Sequence, residues 1–291
     1  MKAKEDGSGE RRIKTVEIRC VALDLDRTTL NREGKLGEAN RKAIEELIEK
    51  GVCVVIASGR SFHTLPADVT GIFGISYAVT SNGAAVYRVP DKRCLKRYTV
   101  SASAATAILD ALRGEEVAYE AFLDGCAYAQ SDFIQDPVRY GTSVKGVEYI
   151  RSTRRPVEDI TGFIKEHAGQ LESMDIVVPD AGQKERLWRR IAAAAPDVYI
   201  TSSVQQLIEI SDRQAGKHSG LKFVTDLLGI APESVAAFGD GDNDVDMMKF
   251  AGYGVAVANA SEKCKKAARY VTKSHDEDGV AYGLRKILGC L

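Results

Sequence analysis

The sequence has little of what would send it to a membrane, a nucleic acid or a disulfide framework. No apolar run approaches the roughly 20 residues that span a bilayer. The opening MKAKEDGSGERRIK is charged and has no apolar centre, so residues 1–15 read as a mobile arm ahead of the first strand rather than a secretory signal. Forty Lys and Arg against 41 Asp and Glu leave a formal net charge of −1, which gives no electrostatic case for nucleic acid or an anionic membrane surface. The six cysteines form no CxxC pair and have no histidine at ligand spacing, so they read as reduced thiols of a cytoplasmic protein. The four histidines, His63, His167, His218 and His275, fit no catalytic triad and read as surface or packing residues.

What is present is ordinary globular composition, with 44% hydrophobic and 28% charged residues in 291, enough for two domains or one large one. Residues 18–30, IRCVALDLDRTTL, are an apolar run that stops at two acids, Asp24 and Asp26. In isolation an acidic turn or helix cap would look the same. Apolar residues at helical spacing over 38–50, with Gly51 as a stop, predict an amphipathic helix. The β-branched run 52–57 then predicts a second strand, closed by Ser58-Gly59-Arg60. Together these make a βαβ unit with parallel strands and a right-handed crossover. A third strand over 77–80 leads through the turn-forming Asn82-Gly83 into a further strand.

From about residue 88 the alternation lapses. Helices are expected from Ser101, from Pro156 and over 181–195, and strands over 117–123, 126–130, 174–178, 198–201 and 207–210. The pattern suggests an inserted α+β domain over 88–212. Its aromatics Tyr119, Phe122 and Tyr128 read as core of that insert. Regular alternation returns with a helix over 217–228, a strand over 234–238 that ends in GDGDNDVDM, a strand over 254–258, and helices over 261–268 and 279–288. The fold class expected is α/β: a Rossmann-like, doubly wound parallel-sheet core made of residues 1–87 and 213–291, interrupted by an α+β cap.

Two acidic strand tips far apart in sequence become one site if parallel strands bring them to one sheet edge. Asp24, Asp26, Asp240 and Asp244 would then crowd a pocket. Clustered carboxylates repel unless a cation lies between them, and an all-oxygen set without His or Cys selects Mg²⁺ over zinc. Mg²⁺ on a few carboxylates usually also binds a substrate phosphate. Donors for its oxygens are at hand in the Ser58 hydroxyl, the backbone N–H groups of Leu25 and Gly59, the Asn243 amide and Lys217 at a helix start.

These residues are similar, in order and spacing, to the motifs of haloacid dehalogenase-like phosphatases: Asp24-x-Asp26-x-Thr28, Ser58-Gly59-Arg60, Asn82-Gly83, Lys217 and Gly239-Asp240-x-x-Asn243-Asp244. Residues 228–248 and 274–284 resemble the Cof-type sugar-phosphatase branch, which carries a large α/β cap between its second and third motifs. The resemblance implies that Asp24 is the nucleophile, forming an aspartyl phosphate, and that Asp26 is general acid and then base. It also implies Mg²⁺ on the Asp24 carboxylate, the Asp26 backbone carbonyl and Asp240, with Asp244 close by or acting through water. Ser58, Lys217 and Asn243 would hold the phosphoryl oxygens.

The expected activity is hydrolysis of small phosphate monoesters, sugar phosphates above all, by a monomer or weak homodimer. A phosphosugar mutase or phosphotransferase could use the same intermediate, and a weakly catalytic phosphometabolite-binding protein could share the pocket. Arg27 stands where the family has glycine. The expectation is that this position does not require positive φ, and that the site gains a cation near its mouth. Arg60 could equally be a structural residue bonding the loops around Asp24, and the extra acids Asp242 and Asp246 read as cap or solvated helix residues.

Overall fold

The computed structural model describes residues 17–291, so the arm expected over residues 1–15 lies outside the described residues. Alternation within the first strand sets up the layers. In β1 (Cys20–Leu23), Val21 and Leu23 pack into one apolar cluster while Cys20 and Ala22 pack into another on the opposite side. A strand buried on both faces belongs in the middle of a sheet covered by helices on each side.

The first sheet contains β1, β2 (Cys53–Ala57), β3 (Tyr77–Thr80), β4 (Ala85–Arg88) and β5 (Arg93–Arg97) from the early chain. Six strands of the middle region come next in sequence: β6 (Ala118–Leu123), β7 (Cys126–Gln130), β8 (Arg154–Val157), β9 (Ser173–Val177), β10 (Val198–Thr201) and β11 (Leu207–Asp212). The late chain returns to the first sheet with β12 (Val235–Gly239), β13 (Tyr253–Ala256) and β14 (Tyr270–Val271), giving the order β14-β13-β12-β1-β2-β3-β4-β5. From β14 to β3 every pairing is parallel; β4 and β5 are antiparallel additions. The chain runs outward from β1 through β2 on one side and adds β12 on the other. The β1/β12 boundary is therefore the topological switch point, where an open α/β sheet leaves a crevice at the carboxyl ends of its strands.

The strand β5 extends this sheet past residue 88, the expected start of the insert. Its sequence RCLKR is an edge strand with no burial alternation, so no pattern announced it. The six middle strands form their own sheet, β10-β11-β9-β6-β7-β8, antiparallel except for β7/β8. Pro156 does not open a helix. It sits in β8, an edge strand where a missing N–H is tolerated, and the helix Ile160–Glu166 starts instead at Asp159, whose carboxylate accepts from the Gly162 N–H at 2.9 Å.

In this second sheet Met174 and Ile176 pack with three helices, Ala102–Ala111, Ile160–Glu166 and Ala181–Ala194, in one apolar cluster. Ser173 and Asp175 alternate to the other face, yet are buried. An antiparallel sheet ordinarily turns its polar face to water. Here that face is covered: Glu209 on β11 accepts a hydrogen bond from the Asn82 side chain of the first sheet at 2.9 Å. No disulfide links any of the six cysteines.

Candidate active site

The tip of β1 is fixed from both sides. The Asp24 N–H donates to the Phe238 carbonyl on β12 at 3.0 Å, and the Thr29 hydroxyl donates to the Asp24 carbonyl at 2.6 Å. The parallel register Leu23↔Phe238 puts Asp24 beside the end of β12, and Asp240 follows from that end one residue later. Both expected acidic tips thus meet at the switch point. Oxygen atoms of Asp24, Asp240 and Asp244 all lie within 4.8 Å of one another, and all three residues are buried.

Lys217 neutralises part of this charge. Its Nζ donates to Asp24 Oδ1 at 2.6 Å and to Asp244 Oδ1 at 2.7 Å, with the lysine side chain 1% exposed. The lysine is brought there by glycine. At Gly83 (φ 91) a β-carbon would fall 2.0 Å from the Gly216 carbonyl oxygen, so only glycine lets that turn press against the start of the helix Lys217–Leu228. Asp244 Oδ2 accepts the N–H groups of Asp240 and Gly241, each at 2.9 Å. With both its oxygens engaged, Asp244 anchors the lysine and the loop, which leaves Asp24 and Asp240 as the more open carboxylates.

Burial pushes the Asp24 carboxyl up to about 7 against the pull of Lys217, and burial with the neighbouring Asp24 and Asp244 charges pushes Asp240 up to about 8. One lysine is too little positive charge for three buried carboxylates. The all-oxygen donor set and its spacing fit a hard divalent cation such as Mg²⁺.

Asp26 stands outside this cluster. Its side chain is half-exposed, and Arg60 donates to both of its oxygens, Nε to Oδ2 at 2.8 Å and Nη2 to Oδ1 at 2.6 Å. Ser58 is buried, and its Oγ accepts the Arg60 N–H at 3.2 Å. At Gly59 a β-carbon would stand 3.1 Å from Asn82 Oδ1, and the Asn243 amide donates to that same oxygen at 2.9 Å. Leu25 continues the strand tip with its side chain in the core. Every expected site residue therefore belongs to one neighbourhood.

Arg27 corrects an expectation. Its backbone is at φ 61, ψ 14, in the left-handed region, held by the Asn259 amide donating to its carbonyl at 2.9 Å. The position therefore requires positive φ and the arginine is strained. The expected cation at the mouth is also present, with Nε 3.5 Å from Asp240 Oδ2. Arg27, Asp240 and Asp242 from the first sheet and Ser202 to Gln205 from the second line a cleft of about 250 Å³. Asp242 binds the Ser261 hydroxyl and Lys263, each at 2.8 Å, as a capping acid would.

Sequence reasoning read Asn82 as a turn residue and passed over Glu209. The structure makes them a bridge: Asn82 accepts from Asn243 and donates to Glu209, which also accepts the Ser203 N–H. The left-handed φ of 52 at Asn82 was legible in the Asn-Gly pair, whereas nothing local marks Glu209.

A match to the haloacid dehalogenase-like hydrolase family model covers residues 21–284, and the chain belongs to that family. Phosphatase YwpJ of Bacillus subtilis is 30% identical over 93% of this chain and all of its own length. The 5-amino-6-(5-phospho-D-ribitylamino)uracil phosphatase YwtE of the same organism is 27% identical over 93% of this chain and 98% of its own. A solved haloacid dehalogenase-like hydrolase from B. subtilis superposes with a TM-score of 0.81 at 26% identity, covering 93% of this chain and 100% of that one. The protein is an enzyme of the phosphatase kind within this family. Among the described residues no helix is long and apolar enough to cross a membrane.

Proposed function

We propose that the protein is a Mg²⁺-dependent, Cof-type phosphatase that hydrolyses small phosphate monoesters, with sugar and polyol phosphates as its substrate class. The observation that carries this reading is the pairing of unlike aspartates at one strand tip. Asp24 is buried against Lys217 beside two more carboxylates, while Asp26, two residues on, is half-exposed and paired with Arg60. The division proposed is a core of residues up to about 98 and from 213, with a cap between them that closes the cleft.

In this mechanism an Asp24 carboxylate oxygen attacks phosphorus, and the bond to the leaving oxygen breaks as Asp26 gives that oxygen its proton. Asp26 then takes a proton from a water that attacks phosphorus, releasing phosphate and restoring Asp24. Lys217, Ser58, Asn243 and the N–H groups of Leu25 and Gly59 are the proposed donors to the phosphoryl oxygens. Mg²⁺ on Asp24, Asp240 and the Asp26 carbonyl, with Asp244 behind, would supply charge neutralisation between the attacking carboxylate and the phosphoryl group.

The substrate class draws support from the comparisons. The YwtE relative is named for a phosphorylated ribityl compound, which is a polyol phosphate.

The test is phosphate release from a panel of sugar and polyol phosphates with Mg²⁺ or EDTA, using the wild type and Asp24→Asn. Release that needs Mg²⁺ and disappears in a folded Asp24→Asn protein is expected. Substantial turnover by that variant would refute the covalent route.

A further inference from the structure

Among the described residues the Asp26 side chain has its hydrogen bonds and ion pair with a single residue, Arg60, and an ion pair on a half-exposed carboxylate is by itself weakly held. What holds Arg60 therefore decides where Asp26 points. Its third nitrogen, Nη1, donates to the Thr64 carbonyl at 3.1 Å, and its Cζ lies 4.5 Å from the centroid of the Tyr149 ring. Tyr149 is not part of the first sheet's loops. It lies on the helix Val147–Thr153 of the inserted region, directly before β8.

The same ring is also approached by Arg154, with Cζ at 4.7 Å. Arg154 is fixed from behind by Glu120, which accepts from its Nε at 2.5 Å and from Nη2 at 3.3 Å, and by the Thr153 hydroxyl, which accepts from Nη1 at 2.8 Å. Both arginine side chains are largely buried, 13% and 6% exposed. Two desolvated guanidinium groups this close repel, and Tyr149 attracts both, through its ring and, for Arg154, through its hydroxyl as well. The contacts run unbroken from the cap sheet to the candidate proton donor: Glu120, Arg154, Tyr149, Arg60, Asp26.

We infer that Tyr149 is a positioning residue for Asp26: its ring, delivered by the cap, holds the Arg60 guanidinium in the orientation that presents the Asp26 carboxylate to the leaving-group oxygen. The inference rests on Asp26 as acid and base, and it makes proton delivery dependent on the cap being seated. Before the cap closes, Arg60 lacks one of its three holds and Asp26 is free to swing. Protonation of the leaving group is thereby tied to closure over the substrate.

The test compares Tyr149→Leu and Tyr149→Phe with the wild type on two substrates. One is a sugar phosphate, whose alkoxide must be protonated to leave; the other is 2,4-dinitrophenyl phosphate, whose leaving group needs no proton. Rapid-mixing kinetics read the first chemical step. Tyr149→Leu is expected to slow that step roughly tenfold for the sugar phosphate, in kcat more than in KM, with little change for the dinitrophenyl ester. Tyr149→Phe keeps the ring and is expected to behave as wild type. Equal losses on both substrates, or a tenfold loss in Tyr149→Phe, would overturn the inference.

A second measurement does not need turnover. The Arg60 Nε–H resonance, shielded by the ring and held by Asp26, should persist in wild type and Tyr149→Phe and broaden or shift in Tyr149→Leu. An unchanged Arg60 signal in Tyr149→Leu refutes the positioning role. If instead the wild type releases no phosphate from either ester, the phosphatase reading fails while the Arg60 signal still decides whether Tyr149 holds Arg60.

Discussion

Replacing Arg27 by alanine and by glycine separates two effects at one position. Both changes remove the guanidinium from Asp240, an ion pair at 3.5 Å with the arginine side chain 54% exposed. At that exposure the pair contributes no more than about 1 kcal/mol. Only glycine relieves the backbone, since at φ 61 a β-carbon costs roughly 1–2 kcal/mol. Against this relief, the freer unfolded chain of a glycine costs about 0.5–1 kcal/mol. Arg27→Gly should therefore be more stable than Arg27→Ala by about 0.5–1 kcal/mol, and should lie within about 1 kcal/mol of the wild type. Urea unfolding in EDTA, with equal slopes for the three proteins, measures this. Alanine equal to or above glycine would show that the left-handed backbone carries no strain. The loss of the cation is common to both variants, so the Mg²⁺ concentration for half-maximal activity should fall a few-fold in each alike.

Lys217→Met leaves Asp24 and Asp244 buried without their cation and should destabilise the protein by about 3 kcal/mol at pH 8. The loss should shrink at pH 5, where an Asp24 carboxyl raised to about 7 already holds its proton; urea midpoints at the two pH values check the difference. The raised values of Asp24 and Asp240 carry a sign for the metal-free protein. Each acid folds with its proton, so the contribution of these two groups to stability is greatest below the unfolded carboxylate range near pH 4 and is lost as pH rises to about 7 and about 8. Thermal stabilisation by Mg²⁺ should accordingly be larger at pH 8 than at pH 6, and the reverse order in a melting series would contradict this charge balance. Gly83→Ala drives a methyl group into the Gly216 carbonyl and should displace Lys217; we expect activity lost with a clearly lowered melting temperature, whereas Gly34→Ala, with open space at the same hand of φ, should keep activity.

The parts of the molecule that a local pattern specifies were legible in the sequence. The helix Lys217–Leu228 starts and stops where its apolar spacing and Gly229 predicted, because amphipathicity and a left-handed glycine are local properties. The two acidic tips could be joined on paper because parallel strands leave their ends on one edge. Pro156 misled because its ring fits the first turn of a helix and an edge strand equally well, and only the neighbouring β7 distinguishes them. Glu209 and Tyr149 were silent for a different reason. Each acts on a residue more than 80 positions away, through the seating of one sheet on another, and no spacing within the chain encodes that. The backbone at Arg27 was misjudged because a charged side chain gives no hint of φ; only the turn it occupies does.

The position of β1 between β2 and β12 also bears on how the protein is made. Cys20 pairs with Cys53 on one side and with Val235 on the other. At ribosomal rates of about 5–20 residues per second, the strand carrying Asp24 waits about 10–40 s with one edge unpaired before β12 emerges. During that interval the middle strands can already close among themselves, since their sheet borrows none from either flank. An apolar CVAL edge held open that long is a site for wrong pairing. The order that assembles the two halves of the site at one crevice also ensures that a newly made chain has no active centre until nearly all of it has been synthesised.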